Sequence, residues 1–296
     1  MQLPQFTVSG TRVQMGEQYG RLCAEMIHAF ADDRVAAVEE YLSEAGHSGT
    51  DQLFAAGAAC LEQVRSFDPE GHAEHLAIAS GAGIDPVRLF TTANMTDVRD
   101  IIVLPGDPPV VEDEGCTSAL VPASHSSNGH SLQGQTWDLN GPDVKHVIAL
   151  HQIPDEGPEL WTVTCAGCQP LMGMNEHGVT VGTPSLKTTG ARVGIPYLSV
   201  LHKALRQNTL AAASAVAETA PVAGSHSYWI GDATGAVEWE RSPGSAFRRS
   251  TEDGPLARTN HCLFDANIEL EDTLSETTHS RFTRMQSLLE HSTDHT

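Results

Sequence analysis

The hydrophobic period of this chain changes abruptly at Gly115-Cys116, and that switch limits the architectures open to it. Upstream, residues 14 to 46 place Met15, Tyr19, Leu22, Met26, Ile27, Phe30, Val35, Val38 and Leu42 at spacings near three and four, with Arg, Glu and Asp between them. Positions so spaced share one face of a helix, and the spacing predicts helix. Residues 51 to 66 and 85 to 103 continue the pattern, with Asp51 and Asp85 as predicted N-caps and Pro86 as a first-turn proline. Downstream, β-type runs at 117 to 123, 130 to 137, 146 to 152, 159 to 165 and 178 to 183 are divided by Ser-Ser-Asn-Gly, Gly-Pro-Asp and Glu-Gly-Pro turn signals. Helices are predicted over 196 to 219, strands at 226 to 231 and 235 to 241 joined by Asp232-Ala-Thr-Gly235, a further strand near 257 to 261, and a closing helix at 277 to 291. Helices, antiparallel strands, helices and strands again predict two sheets covered by helices.

The switch point also carries chemistry. Residues 107 to 114 hold two adjacent prolines, which block a helix, and three consecutive acids, which resist burial, so a solvated linker is predicted there. Gly115 has no side chain, and a neighbouring thiol can approach its carbonyl closely. Attack by the Cys116 sulfur on that carbonyl gives a thioester, and water then releases a free amine on Cys116. Such an amine has an unperturbed pKa of about 7.7 to 8.0 and can take the proton of its own thiol, so one residue would supply both nucleophile and base. The competing reading makes Cys116 a small buried apolar residue opening a strand.

Composition narrows the partners. A length of 296 residues with 40% hydrophobic and 19% charged residues suits one large globular layered domain or two small ones, and nothing in the composition separates two cores. Seventeen Lys+Arg against 38 Asp+Glu give a net charge of -21, which argues against nucleic-acid and anionic-membrane partners because the charge that neutralises phosphate is missing. Six cysteines are too few for a disulfide scaffold. The Met1-Gln2-Leu3-Pro4 start lacks a basic and an apolar signal region, and no apolar run reaches membrane-helix length. A cytoplasmic, soluble protein is the expectation.

Four further features compete for a functional role. Asp138 ends the Gln135-Thr136-Trp137-Asp138 strand and is either a turn residue or an acid that orients the Cys116 amine. Asn260, in Arg258-Thr259-Asn260-His261-Cys262, closes a turn or donates its amide N–H to an oxyanion. Cys165-Ala-Gly-Cys168 with His177 suggests a metal or redox site, but no second ligand pair stands at finger-like spacing. The fifteen histidines are scattered without a His-Glu-x-x-His pair. No metal is expected.

In this order, the segments Met15-Gly-Glu-Gln-Tyr-Gly20, Gly115-Cys116-Thr117, Gly134-Gln-Thr-Trp-Asp138, Gly173-Met-Asn-Glu-His-Gly178-Val179, Ser225 to Ile230 and Thr259-Asn-His-Cys262 resemble the penicillin acyltransferase-like family. These are the acyl-coenzyme A:6-aminopenicillanic acid acyltransferases and their relatives among the N-terminal nucleophile (Ntn) hydrolases. The resemblance implies an α+β fold, an αββα four-layer sandwich of two mainly antiparallel sheets covered by helices. It implies cleavage of a precursor at Gly115-Cys116 into an α chain of 1–115 and a β chain of 116–296, held as an α/β heterodimer in one structural domain. Cys116 would be the nucleophile, Asp138 an acid that orients it, Ser225 a residue supporting processing or acyl transfer, and Asn260 the oxyanion donor. The chemistry implied is transfer or hydrolysis of acyl groups on small amines or amides through an acyl-cysteine, with a small amide or acyl-CoA as donor and no cofactor.

Two departures accompany the resemblance. Pro184 stands about where the family tends to place an asparagine, and proline has neither a side-chain donor nor a backbone N–H. The chain also ends at Thr296, soon after the Arg281 to Glu290 helix, where the family continues through further strands; a shorter lineage or a truncated C-terminus is expected, and a truncated sheet would expose an edge. Both motivate an alternative, a processing-incompetent relative acting as a binding or structural protein.

Overall fold

In a computed structural model, residues 3–47, 49–103, 115–139, 141–269, 271 and 277–291 are described. The linker expected at 107–114 lies outside the described residues. The helices are α1 (Arg12–Leu22), α2 (Ala24–Glu44), α3 (Asp51–Phe67), α4 (Pro69–Ala82), α5 (Pro86–Ala93), α6 (Met95–Ile102), α7 (Tyr197–Leu205), α8 (Leu210–Thr219), α9 (Asp265–Ile268) and α10 (Thr278–His291). The strands are β1 (Gln5–Gly10), β2 (Cys116–Val121), β3 (Leu132–Trp137), β4 (Val147–Pro154), β5 (Leu160–Cys165), β6 (Met172–Asn175), β7 (Thr180–Gly182), β8 (His226–Gly231), β9 (Ala236–Ser242), β10 (Ser245–Ser250) and β11 (Leu256–Arg258). The fold is α+β with two sheets, one of eight strands in the order β1-β4-β5-β6-β7-β8-β9-β10 and one of three in the order β11-β2-β3. Among the named strands of the described residues, the pairings are antiparallel except that of β1 with β4.

Side-chain alternation on β8 shows how the large sheet meets its neighbours, since successive residues of a strand point to opposite faces. Tyr228 and Ile230 join Leu201, Leu205 and Ala213 in the main core under α7 and α8. Trp229 points the other way, packs with Leu120, Ala236 and Leu256 of the strands around it, and donates from Nε1 to Gln135 Oε1 at 2.6 Å. The small sheet thus sits against β8 and β9, and α10 packs on its β11 and β2 strands. At the far edge of the large sheet, α1 lies close on α4 because glycines face the contact. A Cβ on Gly16 would stand 2.6 Å from Glu74 O, and one on Gly20 would stand 2.2 Å from Ile78 O.

Several expected elements are finer than the periodicity suggested. The stretch 14 to 46 is two helices that break at Cys23, and 85 to 103 is two that break at Asn94, whose side chain donates back to Phe90 O. Asp85 caps Arg88 N as predicted, whereas Asp51 lies in the first turn behind Thr50. Strands β1, β6 and β10 and helix α4 were not anticipated.

The surroundings of three titratable groups lead to an expected loss of stability in acid. Burial pushes His75 down to about 4, so the folded state keeps it neutral while the unfolded chain protonates it near 6.5. His261 is lowered to about 4 as well, by burial and by His279, Arg258, Arg281 and Arg249. Burial alone would raise Glu74, but His202, Arg12 and Arg206 outweigh it and hold its carboxyl at about 2. The histidine contribution is therefore complete above pH 6.5 and is lost as pH falls towards 4, and the Glu74 contribution is lost between about 4.5 and 2. For fully buried His75 and Glu74 each loss is roughly 3 kcal/mol. The urea midpoint should fall steadily over that acid range, and His75→Gln should flatten its upper half; an unchanged slope in the variant would contradict the assignment.

Candidate active site

The Gly115–Cys116 peptide is held at both of its polar atoms. β2 opens at Cys116, which pairs in register with Trp137 of β3, and the next residue, Asp138, donates its backbone N–H to Gly115 O at 3.1 Å. Cys116 N–H donates to Asn260 Oδ1 at 2.7 Å. Arg281, in the first turn of α10, completes the cluster by donating from Nη1 to Cys116 O (2.6 Å) and Thr117 Oγ1 (2.9 Å), and from Nη2 to Asn260 Oδ1 (3.0 Å). Its Nε donates to Thr277 Oγ1, which fixes the fork. A Cβ at 115 would lie 2.7 Å from Arg281 Nη2 and 3.3 Å from Asp138 Oδ2, so a larger residue there would push the guanidinium from its place.

Asn260 is placed by a buried charge network. Arg258, the largest fully buried side chain, pairs with Glu238 and with Glu240 Oε2 at 2.8 Å, and donates to His261 O. Glu240 also accepts from Leu263 N and from Asn267 Nδ2, so the turn that follows β11 is tied to β9. Asn260 N–H donates to Thr278 Oγ1. The Asn260 amide group donates to Ser185 O at 3.0 Å, so in this single-chain state it is Oδ1, and not the predicted N–H donor, that faces Cys116.

The other expected residues fall in different places. The Asp138 side chain is exposed at the end of β3, beside Gly115. Ser225 is buried, but its hydroxyl meets Thr188 Oγ1 at 2.5 Å and its carbonyl accepts from Leu186 N, so it braces the 185–188 segment and does not line the cavity at Cys116. Pro184 is buried with its carbonyl accepting from Ser227 N and offers no donor. Cys165 and Cys168 close a tight turn, braced where Gly167 N–H donates to Tyr19 Oη at 2.7 Å, while His177 is exposed. Burial pushes the Cys165 thiol up to about 12 and raises Cys168 too. Among the described residues, no group of three or more His, Cys, Asp or Glu side chains is arranged to hold a metal.

The cavity at Cys116 measures about 50 Å³ and draws on both halves of the chain: Arg34 and Thr96 come from the first, and Trp137, Leu139, Tyr197 and His226 from the second. A larger cleft of about 770 Å³ between α8 and the β9-β10 edge shares no lining residue with it. Arg281 and His226 escaped sequence reasoning. Arg281 stands in an ordinary helical context, and for His226 the available signal was its place beside the singled-out Ser225.

The acyl-coenzyme A:6-aminopenicillanic acid acyl-transferase family model matches residues 125–296, more than half of the chain. The chain belongs to that family. The matched span contains Asp138, Ser225 and Asn260 and begins beyond Cys116. Similar solved structures include an N-acylethanolamine-hydrolyzing acid amidase ortholog from Caenorhabditis elegans, at 16% identity over 60% of this chain and 80% of that one (TM-score 0.47). Penicillin V acylase from Agrobacterium tumefaciens is 12% identical over 48% of this chain and 43% of its own (TM-score 0.29). A variant of the conjugated bile acid hydrolase from Clostridium perfringens is 12% identical over 51% and 47% (TM-score 0.29). This chain spans less than half the length of the latter two. No curated protein sequence matches it. Among the described residues, no helix is long and apolar enough to cross a membrane.

Proposed function

We propose that the protein is a self-processing cysteine Ntn enzyme with an αββα layering, which cuts its own Gly115–Cys116 bond and then transfers or hydrolyses acyl groups on small amines or amides. The observation that carries this reading is the capture of that peptide between Asp138 N–H and Asn260 Oδ1. Attack of Cys116 Sγ on the Gly115 carbonyl carbon forms an S–C bond, and the negative charge develops on an oxygen already hydrogen-bonded to Asp138 N–H, with the Arg281 guanidinium alongside. The C–N bond then breaks, the thiol proton passes to the departing Cys116 nitrogen, and Asn260 Oδ1 retains the new amine. Water hydrolyses the thioester, giving a Gly115 carboxylate and a thiol.

In turnover the same amine takes the thiol proton, Cys116 attacks the substrate carbonyl, and the acyl-cysteine is resolved by water or by an incoming amine. Acyl-CoA or a small amide supplies the acyl group, and no metal or organic cofactor is required. Asp138 orients the amine, and Ser225 acts through the segment that holds Ser185 against Asn260. The pieces 1–115 and 116–296 stay together as a heterodimer because β1 is hydrogen-bonded to β4 and both pieces line the cavity.

Intact-mass measurement of purified protein tests the processing step. Two species beginning at Met1 and Cys116 are expected, and a persistent full-length mass would overturn self-processing. Engagement of the Asn260 amide with Ser185 favours the alternative, a non-enzymatic binding protein. A thiol-reactive acyl probe separates the two readings, since the enzyme labels preferentially at Cys116. The other cysteines are poor competitors: burial raises Cys60 to about 11 and Cys23 to about 12, and raises Cys262 further.

A further inference from the structure

The large sheet is covered by helices on one face, where Val8, Ile148 and Leu150 pack with Met15, Tyr19 and Ile27, but on its other face the small sheet covers only part of the width. Cross-strand register puts Thr7, His151, Trp161, Met174, Thr180 and Gly231 in one row on that second face, because directly paired residues point the same way. At the Gly231 end the row lies under β3: Thr180 Oγ1 donates to Gln133 Oε1 at 3.3 Å, and a Cβ on Gly231 would stand 2.7 Å from Gln133 Cδ. From Met174 onward the row is open. Met174 is 47% exposed and Trp161 40%, and His151 stacks on Trp161 with ring centroids 4.8 Å apart.

The open strands have the composition of covered ones. β4 begins Val147-Ile148-Ala149-Leu150 and β5 runs Leu160-Trp161-Thr162-Val163, apolar at outward as well as inward positions, whereas a sheet with one face in water alternates apolar and polar residues. Moreover, β1, β4, β5 and β6 contain no Lys, Arg, Asp or Glu. Glu159, just before β5, is bonded to His151 Nε2 at 2.9 Å. With a net charge of -21, two copies of this chain repel each other over most approaches, and a face without charged residues is where they can meet.

The shape of the gap fits a second copy. β1 ends the large sheet and β3 ends the small one, so each has a free edge among the named strands. Consider a two-fold axis parallel to the strands, between β4 and β5 and halfway across the ~10 Å that separates packed sheets. It lays the β6, β5, β4 and β1 strands of the second copy over β1, β4, β5 and β6 of the first. The β1 edge of each copy then falls beside the β3 edge of the other, at about the ~4.8 Å spacing of neighbouring strands. Such a contact is self-complementary and closed.

We infer that a second copy of this chain covers the open face, as a symmetric dimer in which β1, β4, β5 and β6 of the two copies pack against each other and the two His151–Trp161 stacks meet at the axis. Each copy thereby braces the β2-β3 pair of the other, which carries Cys116.

Sedimentation velocity over a concentration series tests the dimer, on wild type and on Cys116→Ala so that the result does not depend on self-processing. Both proteins should reach twice the chain mass of 31.6 kDa. Trp161→Lys combined with Met174→Lys should raise the dissociation constant at least ~30-fold, the effect of losing a central anchor. Lysine lowers the net negative charge, so dissociation would not come from added overall repulsion, and Trp161→Phe should stay dimeric. A wild type that is monomeric at every concentration up to about 100 µM, a hundredfold above a micromolar Kd, overturns the inference. So does a dimer that survives the double lysine variant. Hydrogen exchange on wild-type protein gives a readout that no variant's folding can affect: amides of β1 and β3 should slow as concentration rises. A dimer that forms without slowing them places the interface elsewhere and rejects this one.

Discussion

Cys116→Ala should remain a single full-length chain indefinitely, while the wild type resolves into pieces of 1–115 and 116–296. The effect is all-or-none because alanine removes the sulfur that attacks the preceding carbonyl in the proposed mechanism, while leaving the surrounding backbone hydrogen bonds almost untouched. Cys116 N–H, Cys116 O and Gly115 O are all backbone atoms, so Asn260, Arg281 and Asp138 N–H keep their partners in the variant. The residue is buried and small, and the volume lost is that of one sulfur, which keeps the cost in stability modest. Cys116→Ser should process slowly, since a hydroxyl is the weaker nucleophile at neutral pH. A Cys116→Ala protein that still splits at the same bond, read by intact mass, would show that a contaminating protease makes the cut.

Arg281→Ala should slow precursor cleavage by about tenfold or more, the loss expected when the charged hydrogen bonds that hold Cys116 O and Asn260 Oδ1 beside the scissile peptide are removed. Its fork spans Cys116 O, Thr117 Oγ1 and Asn260 Oδ1, so one side chain both places charge beside Gly115 and sets the Asn260 rotamer. A lysine carries the charge but not the planar fork, and Arg281→Lys should recover only part of the rate. The rate is read from the decay of the full-length mass after rapid purification, with the urea midpoint as a control for folding. Cleavage at the wild-type rate in Arg281→Ala would remove the guanidinium from the mechanism and leave Asp138 N–H as the principal stabiliser.

The contrast between Cys116 and Arg281 shows where residue patterns run out. Cys116 was legible because it sits at the change of period and follows a glycine, and both signals are local. Arg281 follows Ser280 on a helix whose pattern is unremarkable; its function depends on α10 crossing β11 and β2, a contact across more than half of the chain. Likewise, β1 becomes a strand through parallel pairing with β4. β10 carries Arg248 and Arg249 in succession and is held as a strand by β9. In α4, His72, His75, Gly71 and Gly81 dilute the helical period, although Asp68 and Pro69 form an N-terminal cap signal that could have been read.

Asn260 marks the boundary within a single residue. Its neighbourhood and candidate role could be read from Thr259-Asn260-His261-Cys262, but which end of its amide meets Cys116 depends on Ser185 competing for the N–H and Arg281 sharing the oxygen. Linear order is enough to mark the helical and β-rich halves, the glycine-thiol junction between them, the acidic balance and the family motifs, because each is a property of neighbours along the chain. The orientation of Asn260, the reach of Arg281, the withdrawal of Ser225 from the cavity and the pairing of Asp97 with His226 come into being only when separate elements pack. Their physical reason is shared: a buried donor or acceptor must find its partner across the fold, and that choice is made by the packing of distant elements.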